Sequence, residues 1–86
     1  MEPQTLDLIY NTLGIIGVGL IVLAYFLIQT GKITSTDISY PLLNLIGATL
    51  HLVSLYRFYN LPSVVIEIFW IAISVYGIYR IKAKLL

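Results

Sequence analysis

Residues 61–81, LPSVVIEIFWIAISVYGIYRI, constrain this chain more than any other stretch. About twenty nearly unbroken apolar side chains are enough to cross the roughly 30 Å hydrocarbon core of a bilayer as a helix. One acid, Glu67, lies inside the run. An ionisable group at that depth costs about 2.5–3.5 kcal/mol on insertion scales, so it turns toward a protein interior or a wet cavity and takes a partner. Any fold for this sequence has to say where Glu67 points.

The rest of the chain fits the same solvent. Of its 86 residues, 59% are hydrophobic and 10% charged, against about 25% charged in soluble domains. The length allows a single domain, and three spans of about twenty residues use most of it. The formal charge of +1 selects no partner by itself. With no cysteine, disulfides, thiolate metal sites and thiol nucleophiles are excluded. The N-terminus carries Glu2 and Asp7 without Lys or Arg. It therefore lacks the basic leader of a secretory signal, and the first apolar run is predicted as a retained span.

That first span covers residues 8–29, LIYNTLGIIGVGLIVLAYFLIQ. Gly14 and Gly17, followed by Ile21 and Ala24, form a stripe at helical spacing, of the kind that lets a second helix approach closely in lipid. Residues 30–39, TGKITSTDIS, are the one clearly polar connection. Asp37 or Ser39 can cap the next helix, and Pro41 suits its first turn. The second span is predicted over 40–58 and the third over 62–81, with Asn60 as a cap and Pro62 in the first turn. The short turn between them predicts an antiparallel hairpin. Lys32, Arg80, Lys82 and Lys84 then share one side and Arg57 stands alone on the other. That asymmetry predicts the N-terminus outside and the C-terminus in the cytoplasm. Tyr10, Tyr56 and Tyr59 mark the outer interface, Tyr40 and Tyr79 the inner one, and Trp70 is expected in the interior.

Depth decides which polar groups can meet. Glu67 lies about 8 Å below the outer end of span three and His51 about 10 Å below that of span two. They are the only two titratable side chains of the Asp, Glu, His, Lys and Arg classes within the apolar zone. Asn44 sits one heptad before His51 on a face that carries Gly47 and Ala48, while Glu67, Trp70, Ser74 and Gly77 share a face of span three. Two such faces meeting would enclose a small polar cavity. The pair has two readings: a structural lock between helices, or a substrate or proton site. One His and one Glu fall short of a metal ligand set, and no metal or other cofactor is expected. Phosphate-loop and nucleophile motifs are absent, so no enzyme is expected. The lack of a basic face excludes nucleic acid.

YFLIQTGKI, YPLLNLIGATLHLV and NLPSVVIEIFWIAISVYGIYR together resemble the three-helix PQ-loop unit of bacterial SemiSWEET sugar transporters. The match looks closest to small uncharacterised relatives of that group, and the N-terminal membrane domain of lipid-A-disaccharide synthase is a further likeness. The resemblance implies an all-α membrane protein of three transmembrane helices, half of a transporter, in a bacterial inner membrane. Two copies would pair around a central path. Ile28-Gln29 stands where the family has Pro-Gln, His51 where sugar-binding members carry a tryptophan, and Glu67 where they carry an asparagine. The expectation is a homodimeric small transporter or proton-linked permease. Glu67 and His51 would form the substrate or proton site, Asn44 and Trp70 would shape it, and Gln29 would lie at the inner end of the path. The rival expectation is an accessory or structural membrane protein that binds lipid or a larger membrane enzyme.

Overall fold

The computed structural model describes residues 2–85 and contains three helices, α1 (Pro3–Gln29), α2 (Ser39–Ser54) and α3 (Leu61–Leu85). Pro3 opens α1, where a missing N–H leaves no bond unmade. Gly31 closes it, with φ at 77°. Its N–H donates to Ile28 O at 3.1 Å and that of Lys32 to Leu27 O at 3.0 Å, the paired bonds of a Schellman ending. The N–H of Ser63 donates to Asn60 Oδ1 at 3.1 Å, so Asn60 caps α3 as expected. Neither Asp37 nor Ser39 caps α2: Ile38 holds that position without a side-chain bond. Asp37 Oδ2 instead accepts from the Thr34 N–H at 2.8 Å within the connection.

The second helix corrects the sequence reading. It ends at Ser54, four residues short of the expected Phe58. Leu55 N–H is shared between His51 O and Leu52 O, and Tyr56 N–H bonds Val53 O, so the end tightens into three-residue turns. At about 1.5 Å per residue the helix is about 24 Å long, whereas α1 and α3 are each long and apolar enough to cross a membrane.

Helix α2 lies between its neighbours. Both α1 and α3 pack on it, and among the described residues they make no close backbone approach to one another. The closest crossing is glycine on glycine. A Cβ placed on Gly17 would lie 2.5 Å from Gly47 O, and one on Gly47 would lie 2.5 Å from Gly17 O. Gly14 similarly makes room for Ser54 Oγ, 2.6 Å from where its Cβ would be. The stripe predicted on span one is thus the α1–α2 contact.

Burial is inverted relative to a water-soluble core. Among the described residues the buried side chains are mostly small or polar, Ala24, Ala48, Asn44, Ser54, Glu67 and Ser74, with Pro41 and Leu55 the larger apolar ones. Ile15, Val22, Phe26, Ile66, Phe69 and Ile73 are exposed. Burying one such side chain gains about 1.5–3 kcal/mol in water, a gain this fold forgoes across its whole outer surface. Its accessible area of 6075 Å² exceeds the about 5,100 Å² expected for a compact monomer of this mass. Hydroxyls within the helices bond their own backbone: Thr12 to Leu8 O, Thr49 to Leu45 O and Ser74 to Trp70 O, each at 2.7 Å. That is how a hydroxyl is satisfied where no water reaches it.

The two ends differ in charge. At one end Arg57 Nε donates to Asp7 Oδ1 at 2.7 Å, and the Tyr10 and Tyr56 rings stack with centroids 6.2 Å apart. This ties the start of α1 to the turn after α2. Arg80, Lys82 and Lys84 lie at the other end, in the last turns of α3.

Candidate functional site

Helices α2 and α3 run antiparallel, so residues counted equally far from their joining turn meet at equal depth. His51 and Glu67 satisfy that count: Nδ1 of the imidazole lies 3.4 Å from Glu67 Oε2. Glu67 is 5% exposed. Its Oε2 has ion-pair proximity to His51, yet the geometry falls short of a hydrogen bond, and among the described residues the oxygen has no hydrogen-bond partner. A buried polar atom left so costs about 1–3 kcal/mol. His51 is the only cationic or imidazole side chain within ion-pair distance of this carboxyl among the described residues.

The imidazole is only half-buried. Its Cδ2 lies 3.7 Å from where a Cβ on Gly14 would be, and the ring lines an open cleft of about 560 Å³ between α1 and α2, together with Asn11, Val18, Gly19 and Ser54. His51 therefore bridges the cleft and the buried acid. A small residue permits this: a side chain at Gly14 would occupy the space that Ser54 now fills.

Asn44 and Trp70 belong to a different place. They line a cleft of about 250 Å³ between α2 and α3, with Pro41, Ser74 and Gly77, and a neighbouring one of about 420 Å³ that α1 completes with Ile21 and Tyr25. Asn44 is buried, as expected of a face packed between helices. Trp70 is not an interior residue: it is 39% exposed and forms a cleft wall. Glu67 shares its helix face with Ser74 and Gly77 but lines none of these clefts. Gln29 is the exposed last residue of α1 and takes part in neither group. The five expected site residues thus separate into one contact pair, one cleft pair and one outlier, and among the described residues none of these clefts holds them together. Sequence reasoning did not single out Ser54, Asn11 or Gly19 as cleft residues. Ser54 lies three residues after His51 and Asn11 three before Gly14, a same-face spacing that was the available signal for those two.

The chain is thus all-helical, with small and polar residues inside, large apolar side chains outside, and two helices long and apolar enough to cross a membrane. A family model matches residues 10–84, and the chain belongs to that uncharacterised family. The match carries no link to the PQ-loop proteins. Searches of curated proteins and of solved structures gave no match.

Proposed function

We propose that this protein is a small permease that spans the membrane three times, acts as a homodimer, and moves protons or a cationic solute through the Glu67–His51 pair. The observation that carries this reading is the unbonded, buried Glu67 Oε2, 3.4 Å from an imidazole whose other side opens to a cleft. A purely structural carboxyl would gain by completing its hydrogen bond. A carboxyl that binds and releases a cation needs a free oxygen and a path to water.

The clefts suggest that path. The one reached by His51 contains Phe58 and Asn11 and lies toward the Arg57 end, while the one holding Asn44, Ser74 and Gly77 lies toward the basic end. His51 and Asn44, one heptad apart on α2, are separated by about 10 Å along the helix. The buried acid lies beside His51 at the depth of the first opening, one heptad of α2 away from Asn44 in the second. In this reading His51 exchanges protons with the first cleft and passes them to Glu67, and a small repacking about α2 opens Glu67 to the second. A second copy closes the His51 cleft against lipid, since that cleft is open at the side in one copy. The short α2 crosses with the turn that follows it. The basic end faces the cytoplasm by its excess of Lys and Arg, with the bacterial inner membrane as the expected location.

The test is flux in proteoliposomes under an imposed potential, with an internal pH dye for protons and radiolabelled methylammonium as a cationic probe. Wild-type protein passes at least one of the two faster than protein-free vesicles, and Glu67→Gln lowers that rate at least tenfold. Rates for wild type equal to empty vesicles with both probes, or unchanged in the variant, would refute the proposal.

A further inference from the structure

The basic end of α3 has a property the transport reading does not use. Trp70, Ser74, Gly77, Arg80, Ile81 and Lys84 recur at spacings of three and four and so form one stripe along the helix. Its upper part lines the apolar cleft against Pro41 and Asn44. Its lower part lines an adjoining cleft of about 280 Å³, where Arg80 and Lys84 face Ser35 and Thr36 of the α1–α2 connection. Ser35 and Gly77 belong to both, so the two clefts make one continuous groove.

The groove is apolar at one end and basic at the other. Among the described residues neither Arg80 nor Lys84 has an ion-pair partner, and no carboxylate lines the basic cleft. Lys82 points the other way, about 200° around the helix from both. From Trp70 to Lys84 the stripe runs about 21 Å. One leaflet including its headgroup region is about 20–22 Å thick. A ligand matching this length and polarity has an acyl chain beside Trp70 and Ile73 and an anionic phosphate between two cations and two hydroxyls.

We propose that this groove is a binding site for one anionic phospholipid, with Arg80, Lys84, Ser35 and Thr36 on its phosphate and the Pro41–Trp70–Ile73 wall on its acyl chain. Charge complementarity selects the headgroup, and the match of length to one leaflet selects a lipid over a soluble anion. The groove's acyl end is the cleft to which the transport reading opens Glu67, but neither Glu67 nor His51 lines the groove, and Arg80 and Lys84 lie in its basic part.

Trp70 is the only tryptophan in the chain, and its place in the groove makes it the reporter. Purified protein in detergent is titrated with phosphatidylglycerol brominated on its acyl chains, and in parallel with brominated phosphatidylcholine, following quenching of Trp70 fluorescence. Phosphatidylglycerol half-quenches at a lower mole fraction than phosphatidylcholine. Arg80→Gln with Lys84→Gln weakens that preference by about thirtyfold, as expected for two basic contacts at a membrane surface. Lys32→Gln with Lys82→Gln removes the same charge outside the groove and changes it less than threefold. Equal quenching by the two lipids, or equal weakening in both double variants, overturns the site. Quenching relieved by inorganic phosphate but not by sodium chloride of the same ionic strength overturns the lipid assignment in favour of free phosphate.

Discussion

Substituting Gly17 by alanine tests the packing that everything else rests on. The added Cβ would meet Gly47 O at 2.5 Å and the His51 backbone N at 2.7 Å, against about 3.4 Å for the near edge of ordinary contact. Both neighbours are backbone atoms of α2, so no side chain can rotate away. The helices must separate by roughly 0.9 Å at their closest crossing, which loosens Gly14 against Ser54 and His51 one turn away. Overpacking of this kind costs about 1–3 kcal/mol. The gain in helix propensity from Gly to Ala, up to about 1 kcal/mol in water, offsets only part of it. Gly19 supplies the control, because a Cβ there meets nothing within 4 Å. Reversible unfolding in mixed micelles, followed by circular dichroism as SDS is added, should show Gly17→Ala destabilised by about 1–2 kcal/mol and Gly19→Ala unchanged or slightly stabilised. Gly17→Ala with Gly47→Ala should cost less than the sum of the two, since both strain one crossing. Equal stability of Gly17→Ala and Gly19→Ala would refute the close crossing.

Two further outcomes follow from the hairpin. Asn60→Ala removes the cap that accepts the Ser63 N–H and should lower stability by about 1 kcal/mol in the same assay, with Asn60→Gly losing only a few tenths. His51→Leu strands Glu67 without its only ion-pair neighbour, so it should destabilise more than His51→Leu combined with Glu67→Leu. The coupling between the two sites is expected at about 0.5–3 kcal/mol, and additive losses would show that the pair is not in contact.

Some of this was legible in the sequence for simple reasons. A fixed rise per residue and a short turn place His51 and Glu67 at one depth, which permits the 3.4 Å contact the structure shows. Gly14 and Gly17 could be read as a helix-contact stripe because glycine is costly in a helix interior and, in lipid, lets a neighbouring helix approach closely. The end of α2 was not legible: Leu55, Tyr56 and Phe58 continue the apolar run beyond Ser54, and hydropathy carries no mark of tightened turns. Periodicity gave Asn44 and Trp70 their helix faces but not their company. A face is continuous along a helix, whereas a cleft is local, and one heptad is enough to separate Asn44 from the His51 contact. Trp70 was expected inside because it lies far from either interface, but depth along a helix says nothing about which way a side chain turns. Gln29 came from the resemblance rather than from any physical argument, and it is the residue that found no place.

The central claim is that a carboxyl buried between two membrane helices exchanges protons with water through its imidazole neighbour. Infrared difference spectra of the protein in lipid, recorded between acid and alkaline buffer, read that carboxyl directly. A protonated-carboxyl band that changes with pH, vanishes in Glu67→Gln and shifts in His51→Gln is the expected result. A spectrum in which no band assigned to Glu67 responds to pH would contradict the account.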